Sequence, residues 1–264
     1  MARVSFPAEG VALVELDRPE ALNSLTLDGL GALAGAFAGL RRGDEVGSRR
    51  LGACVLTGRG RAFCAGIDLN AAEAVFKSDP SDPVTRGRDV VAEMELCPFP
   101  IIGAINGAAV TAGFEIALAC DVLLAAEGAF FQDTHCRYGI MPSWGLSQKL
   151  PRLIGAGRAR LASLGCLKVG ASEAERWGLV QQVVAPEELR GAALGLARRI
   201  AGHDAEVVRG YKDVLRRGLE TDLAAGRALE RAAALAYYRD ALGSDKFAEI
   251  RARFRRQFRG QSKL

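Results

Sequence analysis

Residues 99–151 constrain the fold of this chain more than any other stretch. They open with an apolar run, residues 99–105, whose bounding turn residues favour a buried strand. After Asn106-Gly107, residues 112–120 predict a helix that is small or apolar on every face and therefore buried. That helix carries one carboxylate, Glu115. Because an unpaired buried charge is costly, Glu115 needs either a hydrogen-bonded structural role or a chemical one.

A second ionisable group follows the next strand-like segment. The apolar run of residues 121–131 leads to the polar segment Gln132-Asp133-Thr134-His135, after which Gly139, Pro142 and Gly145 predict a tight loop. Glu115 and His135 therefore each come shortly after a strand-like run. If the two strands are neighbours in a sheet, both side chains reach the same pocket.

Strands and helices alternate along the first half of the chain. Residues 10–16 and 51–57 predict strands, residues 26–40 predict a helix with an apolar stripe, and a further helix begins at Val90. The connecting residues 70–89 predict an irregular surface segment. This alternation indicates an α/β core.

The last hundred or so residues have a different pattern. After Gly155 the chain is predicted to be almost wholly helical. Residues 189–200 and 223–242 have the spacing of amphipathic helices that pack on the core or on a neighbouring subunit.

Composition excludes several classes of site. A chain of 264 residues with a net charge of +4 is typical of one larger domain with an ordinary surface, and it predicts no nucleic-acid partner. Six cysteines lack metal-ligand spacing and are predicted to be reduced core residues, while two histidines exclude a multi-histidine metal site. No apolar run is long enough to predict a membrane span.

Five segments, in this order and spacing, resemble the crotonase superfamily, also called the enoyl-CoA hydratase/isomerase family. The segments are Arg18-Pro-Glu-Ala-Leu-Asn-Ser24, Gly60-Arg-Ala-Phe-Cys-Ala-Gly-Ile-Asp-Leu69, residues 105–121, residues 139–150, and Ala171-Ser-Glu-Ala-Glu-Arg-Trp-Gly-Leu-Val180. The resemblance implies an α/β fold in which a spiral of ββα turns, residues 1–196, precedes a helical oligomerisation region, residues 197–264. It also implies an acyl-CoA thioester substrate, no separate cofactor because CoA is part of the substrate, no metal, and a homotrimer or a dimer of trimers.

The resemblance also implies an oxyanion hole, which consists of backbone N–H groups that stabilise the negative thioester oxygen of an enolate. The two donors are the N–H groups of Ile67 and Ala112. The second donor is physically sensible in itself, since the first N–H groups of a helix lack internal partners. The run Thr111-Ala112-Gly113 departs from the family's usual glycines, but Ala112 is still small. The remaining substrate contacts that the resemblance implies are Ala21, Leu22, Asn23, Ala65, Gly66, Asp68, Gly113 and Trp144. Tyr138 and Met141 are expected to line the acyl pocket together with Trp144.

The family's two acid/base positions are occupied differently in this chain. Glu115 corresponds to the first glutamate, which activates water. The second glutamate is replaced by His135, and Asp133 is a further acid/base candidate. Histidine can hold water or carry a proton near neutral pH. The segment containing Asp133 and His135 can equally be a structural network in which the aspartate fixes the imidazole.

The resemblance predicts hydration of 2-enoyl-CoA to 3-hydroxyacyl-CoA in fatty-acid or branched-chain β-oxidation. The alternatives are a Δ3-Δ2-enoyl-CoA isomerase, an acyl-CoA thioester hydrolase, and a non-catalytic acyl-CoA-binding protein. The tripeptide Ser262-Lys263-Leu264 is read by the peroxisomal import receptor, which predicts a peroxisomal location and that receptor as a partner. In a bacterial source the same chain would be expected in the cytoplasm.

Overall fold

A computed structural model describes residues 2–43, 50–79, 81–240, 247–248, 250–252 and 254–255. Contacts divide the chain into two compact units, one ending at Arg209 and one beginning at Gly210. The tripeptide Ser262-Lys263-Leu264 lies outside the described residues.

The strands of the first unit form two sheets. The six-stranded sheet has the order β1-β2-β3-β5-β7-β10, comprising Ala2–Ala8, Val11–Leu16, Ala53–Gly58, Ile101–Ile105, Val122–Ala126 and Gln182–Val184. The four-stranded sheet has the order β4-β6-β8-β9, comprising Ala62–Cys64, Ala108–Val110, Phe130–Gln132 and Lys168–Gly170. Strand β1 pairs antiparallel with β2 and β9 antiparallel with β8, whereas the other pairs are parallel.

The helices are distributed between and after these strands. They are α1 Leu27–Arg42, α2 Ala72–Phe76, α3 Pro83–Arg86, α4 Val90–Glu95, α5 Ala112–Leu118, α6 His135–Tyr138, α7 Leu146–Ile154, α8 Ala156–Leu164, α9 Ala171–Trp177, α10 Leu189–Ala201, α11 Ala205–Leu219 and α12 Leu223–Asp240. Helix α1 begins where its sequence predicts, because the Thr26 side chain accepts a hydrogen bond from the Gly29 N–H at 3.1 Å.

Successive turns of the chain each add one strand to both sheets. The strands follow one another in the pairs β3 and β4, β5 and β6, and β7 and β8. In each pair the first strand joins the six-stranded sheet and the second joins the four-stranded sheet. Strands β3, β5 and β7 are therefore neighbours in one sheet, and β4, β6 and β8 are neighbours in the other. The parallel strands β4, β6 and β8 therefore end at the same sheet edge. This arrangement confirms the predicted α/β spiral, and it satisfies the condition that the strands before Glu115 and His135 be neighbours.

The central strands of the six-stranded sheet, β2, β3, β5 and β7, are buried on both faces, as is usual for parallel strands. Alternate residues of β2 belong to different apolar clusters: Val11 and Leu13 face the cluster that contains α10, while Ala12, Val14 and Leu16 face the larger one. The larger cluster contains Phe37, Phe63 and Phe114. Because α10 covers the sheet, the first compact unit extends past residue 196 to Arg209.

Several predictions of local structure differ from the observed elements. Strand β1 was not expected, since it is an edge strand with mostly exposed or half-buried residues. Residues 121–131 contain two strands, β7 and β8, separated by a turn at Gly128 with φ of 82°. Residues 70–89 contain two short helices, and the second begins where the Asp82 side chain accepts a hydrogen bond from the Thr85 N–H. The region after Gly155 includes the short strands β9 and β10.

The prediction that the cysteines are reduced core residues holds for most of them. Four of the six cysteines are buried, while Cys120 is half-buried and Cys136 is exposed, and all six are free thiols. Among the described residues, no helix combines the length and apolarity needed to cross a membrane.

Candidate active site

The segment after β4 presents a backbone N–H group that the fold leaves free. Ile67 forms an isolated parallel bridge with Leu25, in which the Leu25 N–H donates to Gly66 O at 2.8 Å and the Asp68 N–H donates to Leu25 O at 2.9 Å. The Ile67 N–H itself donates no hydrogen bond to any residue in the described part of the chain. It is therefore available to an external acceptor.

A second such N–H group begins helix α5. Ala112 is the first residue of that helix, so its N–H has no partner within the helix, and it has none elsewhere among the described residues. Two glycines bring the two segments together. A Cβ on Gly66 would lie 3.7 Å from the Ala112 nitrogen, and one on Gly113 would lie 2.1 Å from the Cys64 carbonyl oxygen. The predicted oxyanion-hole residues Ile67 and Ala112 thus lie on closely packed neighbouring segments.

Glu115 lies on α5, one turn after Ala112, and is 2% exposed. Its Oε1 accepts a hydrogen bond from the backbone N–H of Trp144 at 2.8 Å, and the backbone N–H of Leu146 also favours the ionised carboxylate. Burial raises the pKa of Glu115, although these two donors and the nearby His135 oppose the rise. A carboxyl with a raised pKa is suited to exchange protons near neutral pH.

His135 is fixed by Asp133 at the end of β8. Its Nδ1 lies 2.6 Å from Asp133 Oδ1, and its backbone N–H donates to the same oxygen at 3.0 Å. Burial tends to raise the pKa of Asp133, but the hydrogen bonds from His135 and from Ser163 outweigh it and lower that pKa. Asp133 is thus a carboxylate, and we assign the hydrogen to Nδ1 of His135 on this ground.

The other ring nitrogen of His135 faces the glutamate. His135 Nε2 lies 3.8 Å from Glu115 Oε2, and both side chains are buried. Asp133, His135 and Glu115 therefore form a row of three titratable groups. Because Nδ1 is held by Asp133, Nε2 is the nitrogen that can exchange a proton with Glu115 or with a molecule bound beside it. No group of side chains in the described part of the chain has the composition of a metal site.

The side chains of Asn23 and Asp68 have structural partners. Asn23 Nδ2 donates to the carbonyl oxygens of Arg59 and Ala62 at 2.9 and 2.8 Å. Asp68 Oδ2 pairs with Arg18 Nη1 at 2.7 Å. This hydrogen bond lowers the pKa of Asp68, and a smaller contribution comes from the hydrogen bond donated by the Asn70 N–H. These side chains fasten one loop to the other, so any CoA contact from Asn23 or Asp68 would come from the backbone.

The backbones of the two loops that were predicted to bind CoA are joined directly. The Ala65 N–H donates to Leu22 O at 3.0 Å, next to the bridge between Leu25 and Ile67. Ala21 precedes this junction, and Leu22 and Asn23 both adopt left-handed backbone with φ of 53° and 57°. The contact of Ala21, Leu22, Asn23, Ala65, Gly66, Asp68 and Gly113 with CoA remains a prediction.

Trp144 lies beside the acid/base groups, as expected. The residue is half-buried, and its backbone N–H is the group that donates to Glu115. Tyr138 and Met141, which were predicted to line the acyl pocket together with Trp144, are exposed. Sequence reasoning did not assign the Leu146 N–H or Ser163 to the site. Leu146 begins helix α7 and Ser163 lies near the end of α8, and neither position carries a sequence signal for catalysis. It also did not assign a role to Arg18, although Arg18 opens one of the five family-like segments.

The sequence is similar to one protein family along nearly its whole length. The profile of the Enoyl-CoA hydratase/isomerase family matches residues 7–257. A curated relative from Arabidopsis thaliana, "Probable enoyl-CoA hydratase 1, peroxisomal", is 45% identical, with 90% of this chain and 87% of the relative aligned.

Solved structures give the same result at the level of the fold. An enoyl-CoA hydratase from Bacillus anthracis superposes with a TM-score of 0.83 at 31% identity, covering 97% of this chain and 96% of that one. A monofunctional enoyl-CoA isomerase from M. smegmatis superposes with a TM-score of 0.71 at 32% identity, covering 85% and 96%. The chain is a member of the enoyl-CoA hydratase/isomerase family.

Proposed function

We propose that this protein adds water across the double bond of a 2-enoyl-CoA thioester to give a 3-hydroxyacyl-CoA. The observation that carries the proposal is the 3.8 Å approach of Glu115 Oε2 to His135 Nε2 in a buried site. Beside it lie two backbone N–H groups that have no acceptor among the described residues. Hydration requires one group to take a proton from water and a route that returns a proton to carbon. An isomerase needs a single base, so the paired groups favour hydration. Hydratases among the relatives support the same reaction.

The proposed reaction starts at the thioester carbonyl, whose oxygen accepts hydrogen bonds from the N–H groups of Ile67 and Ala112. Glu115 takes a proton from water as the water oxygen bonds to C3. The electrons of the C2=C3 bond move toward the carbonyl, so that negative charge develops on the oxygen facing the two donors. When the enolate collapses, C2 takes up a proton from Glu115 or through His135. The net change is the addition of one water molecule, with no oxidation or reduction.

His135 is proposed to serve where the family has a second glutamate. The carboxylate of Asp133 accepts the hydrogen on Nδ1, which leaves Nε2 directed at Glu115. Glu115 can pass the proton that it takes from water across the 3.8 Å gap to Nε2, and His135 then donates a proton from Nε2 to C2 and returns to its neutral form. Asp133 is thus proposed to orient the imidazole ring of His135.

The experiment that tests the proposal follows the ultraviolet absorbance of crotonyl-CoA, which disappears when the conjugated double bond is hydrated. We expect the wild-type protein to remove it, and we expect His135→Ala and His135→Gln to lower kcat by about 10²-fold, the usual range for a positioned acid/base group. His135→Gln keeps a polar side chain beside Asp133 but cannot carry a proton. Cys136→Ala, which changes the exposed neighbouring residue, should behave as wild type.

Other results would each assign a different function. A silent crotonyl-CoA assay together with a rise in absorbance from 3-enoyl-CoA would replace the hydratase with an isomerase. Release of free CoA thiol from saturated acyl-CoA would indicate a thioester hydrolase. Tight acyl-CoA binding with no turnover at high enzyme concentration would indicate a non-catalytic binding protein.

We also propose that the enzyme acts in fatty-acid or branched-chain β-oxidation in the peroxisome, as a trimer or a dimer of trimers. Support for the location comes from the name of the Arabidopsis relative and from the tripeptide Ser262-Lys263-Leu264. A fluorescent protein fused to the N-terminus should give punctate peroxisomal signal that becomes diffuse when the tripeptide is removed. Diffuse signal from the intact fusion would contradict the proposed location and the import receptor as a partner.

A further inference from the structure

The peptide that carries the Ala112 N–H follows a residue in an unusual backbone conformation. Thr111 has φ of 51° and ψ of −112°. A positive φ is a true outlier for a β-branched residue, and such a conformation persists only where the surrounding structure holds it. The contacts of Thr111 must therefore hold its backbone in this conformation.

The conformation of Thr111 matters because its ψ angle sets the plane of the next peptide. The N–H of Ala112 lies in that plane, so a rotation at Thr111 turns this donor directly. On the other side, a Cβ on Gly66 would lie 3.0 Å from the Val110 carbonyl oxygen and 3.7 Å from the Ala112 nitrogen. The peptide is thus closely confined by Gly66 and aimed by Thr111.

Three hydrogen bonds hold Thr111 in place. Its N–H donates to Gln132 O at 2.9 Å, its carbonyl oxygen accepts from the Glu115 N–H at 3.0 Å, and its Oγ1 forms a hydrogen bond with Oγ1 of Thr134. The first two are backbone contacts that many residue types could make. The third requires a hydroxyl group at both positions.

Thr134 belongs to the acid/base segment. It is 4% exposed and stands between Asp133 and His135, and its carbonyl oxygen accepts from the N–H groups of Arg137 and Tyr138. The hydroxyl pair of Thr111 and Thr134 therefore connects two segments. One follows β6 and carries the Ala112 N–H, and the other follows β8 and carries His135. It is a direct side-chain link between the two halves of the proposed site.

We propose that Thr111 and Thr134 are positioning residues, and that their hydroxyl pair sets the direction of the Ala112 N–H toward the substrate carbonyl. The inference rests on the proposed function in so far as the acceptor is a thioester oxygen. The bland alternative is that the pair contributes only to the stability of the fold. The two differ in what happens to the bound carbonyl group.

The experiment compares Thr111→Val, which removes the hydroxyl at nearly constant shape, with Thr111→Ser, which keeps it. The probe is butyryl-CoA with ¹³C at the thioester carbonyl, which is saturated and cannot be hydrated. Infrared difference spectra of the bound probe report carbonyl hydrogen bonding as a lowered C=O stretching frequency. We expect Thr111→Val to lose part of this shift and to lower kcat for crotonyl-CoA about tenfold with little change in KM. That loss is smaller than the typical loss on deleting an oxyanion donor outright.

Two further variants complete the design. Thr111→Ser should retain the wild-type frequency and kcat. Thr134→Val should reproduce Thr111→Val, and the double variant should be no worse than either single variant, since both remove the same hydrogen bond. The matched control is Thr57→Val, because the Thr57 hydroxyl donates to Ala104 O at 2.7 Å inside the six-stranded sheet. It should lower the melting temperature without moving the carbonyl frequency.

The proposal is overturned if Thr111→Val binds the probe with the wild-type carbonyl frequency, or if Thr111→Ser loses as much of the shift as Thr111→Val. Additive losses in the double variant would also overturn it, because they would mean that the two hydroxyl groups act separately. Since the probe is not turned over, these outcomes are independent of whether the protein hydrates crotonyl-CoA. A failure of the proposed function is thus distinguishable from a failure of this inference.

Discussion

Replacing Glu115 by Gln is expected to lower kcat for crotonyl-CoA hydration by about 10³-fold, within the range for loss of a positioned acid/base group. The amide has nearly the same shape as the carboxylate. It keeps an oxygen that can accept a hydrogen bond from the backbone N–H of Trp144, as Oε1 does at 2.8 Å in the wild-type protein. It cannot take a proton from water, so the chemical step fails while binding of butyryl-CoA persists. The measurement is steady-state kinetics together with the affinity for butyryl-CoA.

The matched control is Glu175→Gln. The Glu175 carboxylate also accepts a backbone N–H, from Val183 at 3.0 Å, but it lies at an exposed position away from the site. We expect wild-type kinetics from it. Activity of Glu115→Gln within a few fold of wild type would contradict the role of Glu115 as the acid/base group.

Glu115→Gln should also be more stable than the wild-type protein at neutral pH. Burial raises the pKa of Glu115, so the ionised carboxylate destabilises the folded state, and wild-type stability falls as pH rises from the ordinary value of 4.5 through the raised one. Glutamine has no such charge. We therefore expect Glu115→Gln to melt a few degrees higher at neutral pH, with the difference shrinking as pH falls toward 4.5. A lower melting temperature at neutral pH would show instead that the carboxylate supports the fold.

The second large effect is expected from Gly113→Ala. A Cβ there would lie 2.1 Å from the Cys64 carbonyl oxygen and 2.8 Å from the Cys64 Cβ, so helix α5 would have to move away from β4. Overpacking of this kind typically costs about 1–3 kcal/mol of unfolding free energy. The shift would also displace the Ala112 N–H, so kcat should fall together with stability. Denaturant unfolding and crotonyl-CoA kinetics measure the two effects.

Gly195→Ala serves as the control for that substitution. Gly195 lies within α10, and a Cβ there would meet nothing within 4 Å. Alanine in a helix interior is favoured over glycine by about 0.5–1 kcal/mol, so this variant should be slightly more stable and fully active. Wild-type stability and activity of Gly113→Ala would mean that α5 and β4 tolerate separation, and that the close packing at Gly113 is not required.

The buried parts of the fold were predictable because their sequence patterns are local. Helix α1 has both its apolar stripe and its capping residue Thr26 in the sequence, and the apolar run before Asn106 gives strand β5. Edge strand β1 was missed because its residues are mostly exposed and lack an apolar run. The short strands β9 and β10 owe their conformation to partners far away in the chain, β8 and β7.

The residues of the candidate site were predictable from the sequence, but the distances and hydrogen bonds between them were not. The sequence and its family resemblance point to Glu115, His135, Asp133 and the donors Ile67 and Ala112. They do not contain the distance between His135 and Glu115, since it depends on how neighbouring strands end. The left-handed conformation of Thr111 was also out of reach, because no sequence rule favours it at a β-branched residue.

The side-by-side order of β4, β6 and β8 assigns separate tasks to separate turns of the spiral. The ends of β4 and β6 carry the two proposed peptide donors, whereas the end of β8 carries Asp133, Thr134 and His135. A change at His135 can therefore alter the proposed proton chemistry while both peptide donors are retained, whereas a change at Thr134 would also act on the Ala112 donor through Thr111. In this chain a histidine stands where the family has a glutamate, which is a change of the first kind. Diversification of the reaction can thus proceed through single substitutions such as that at His135, without renewed selection for the proposed thioester contacts.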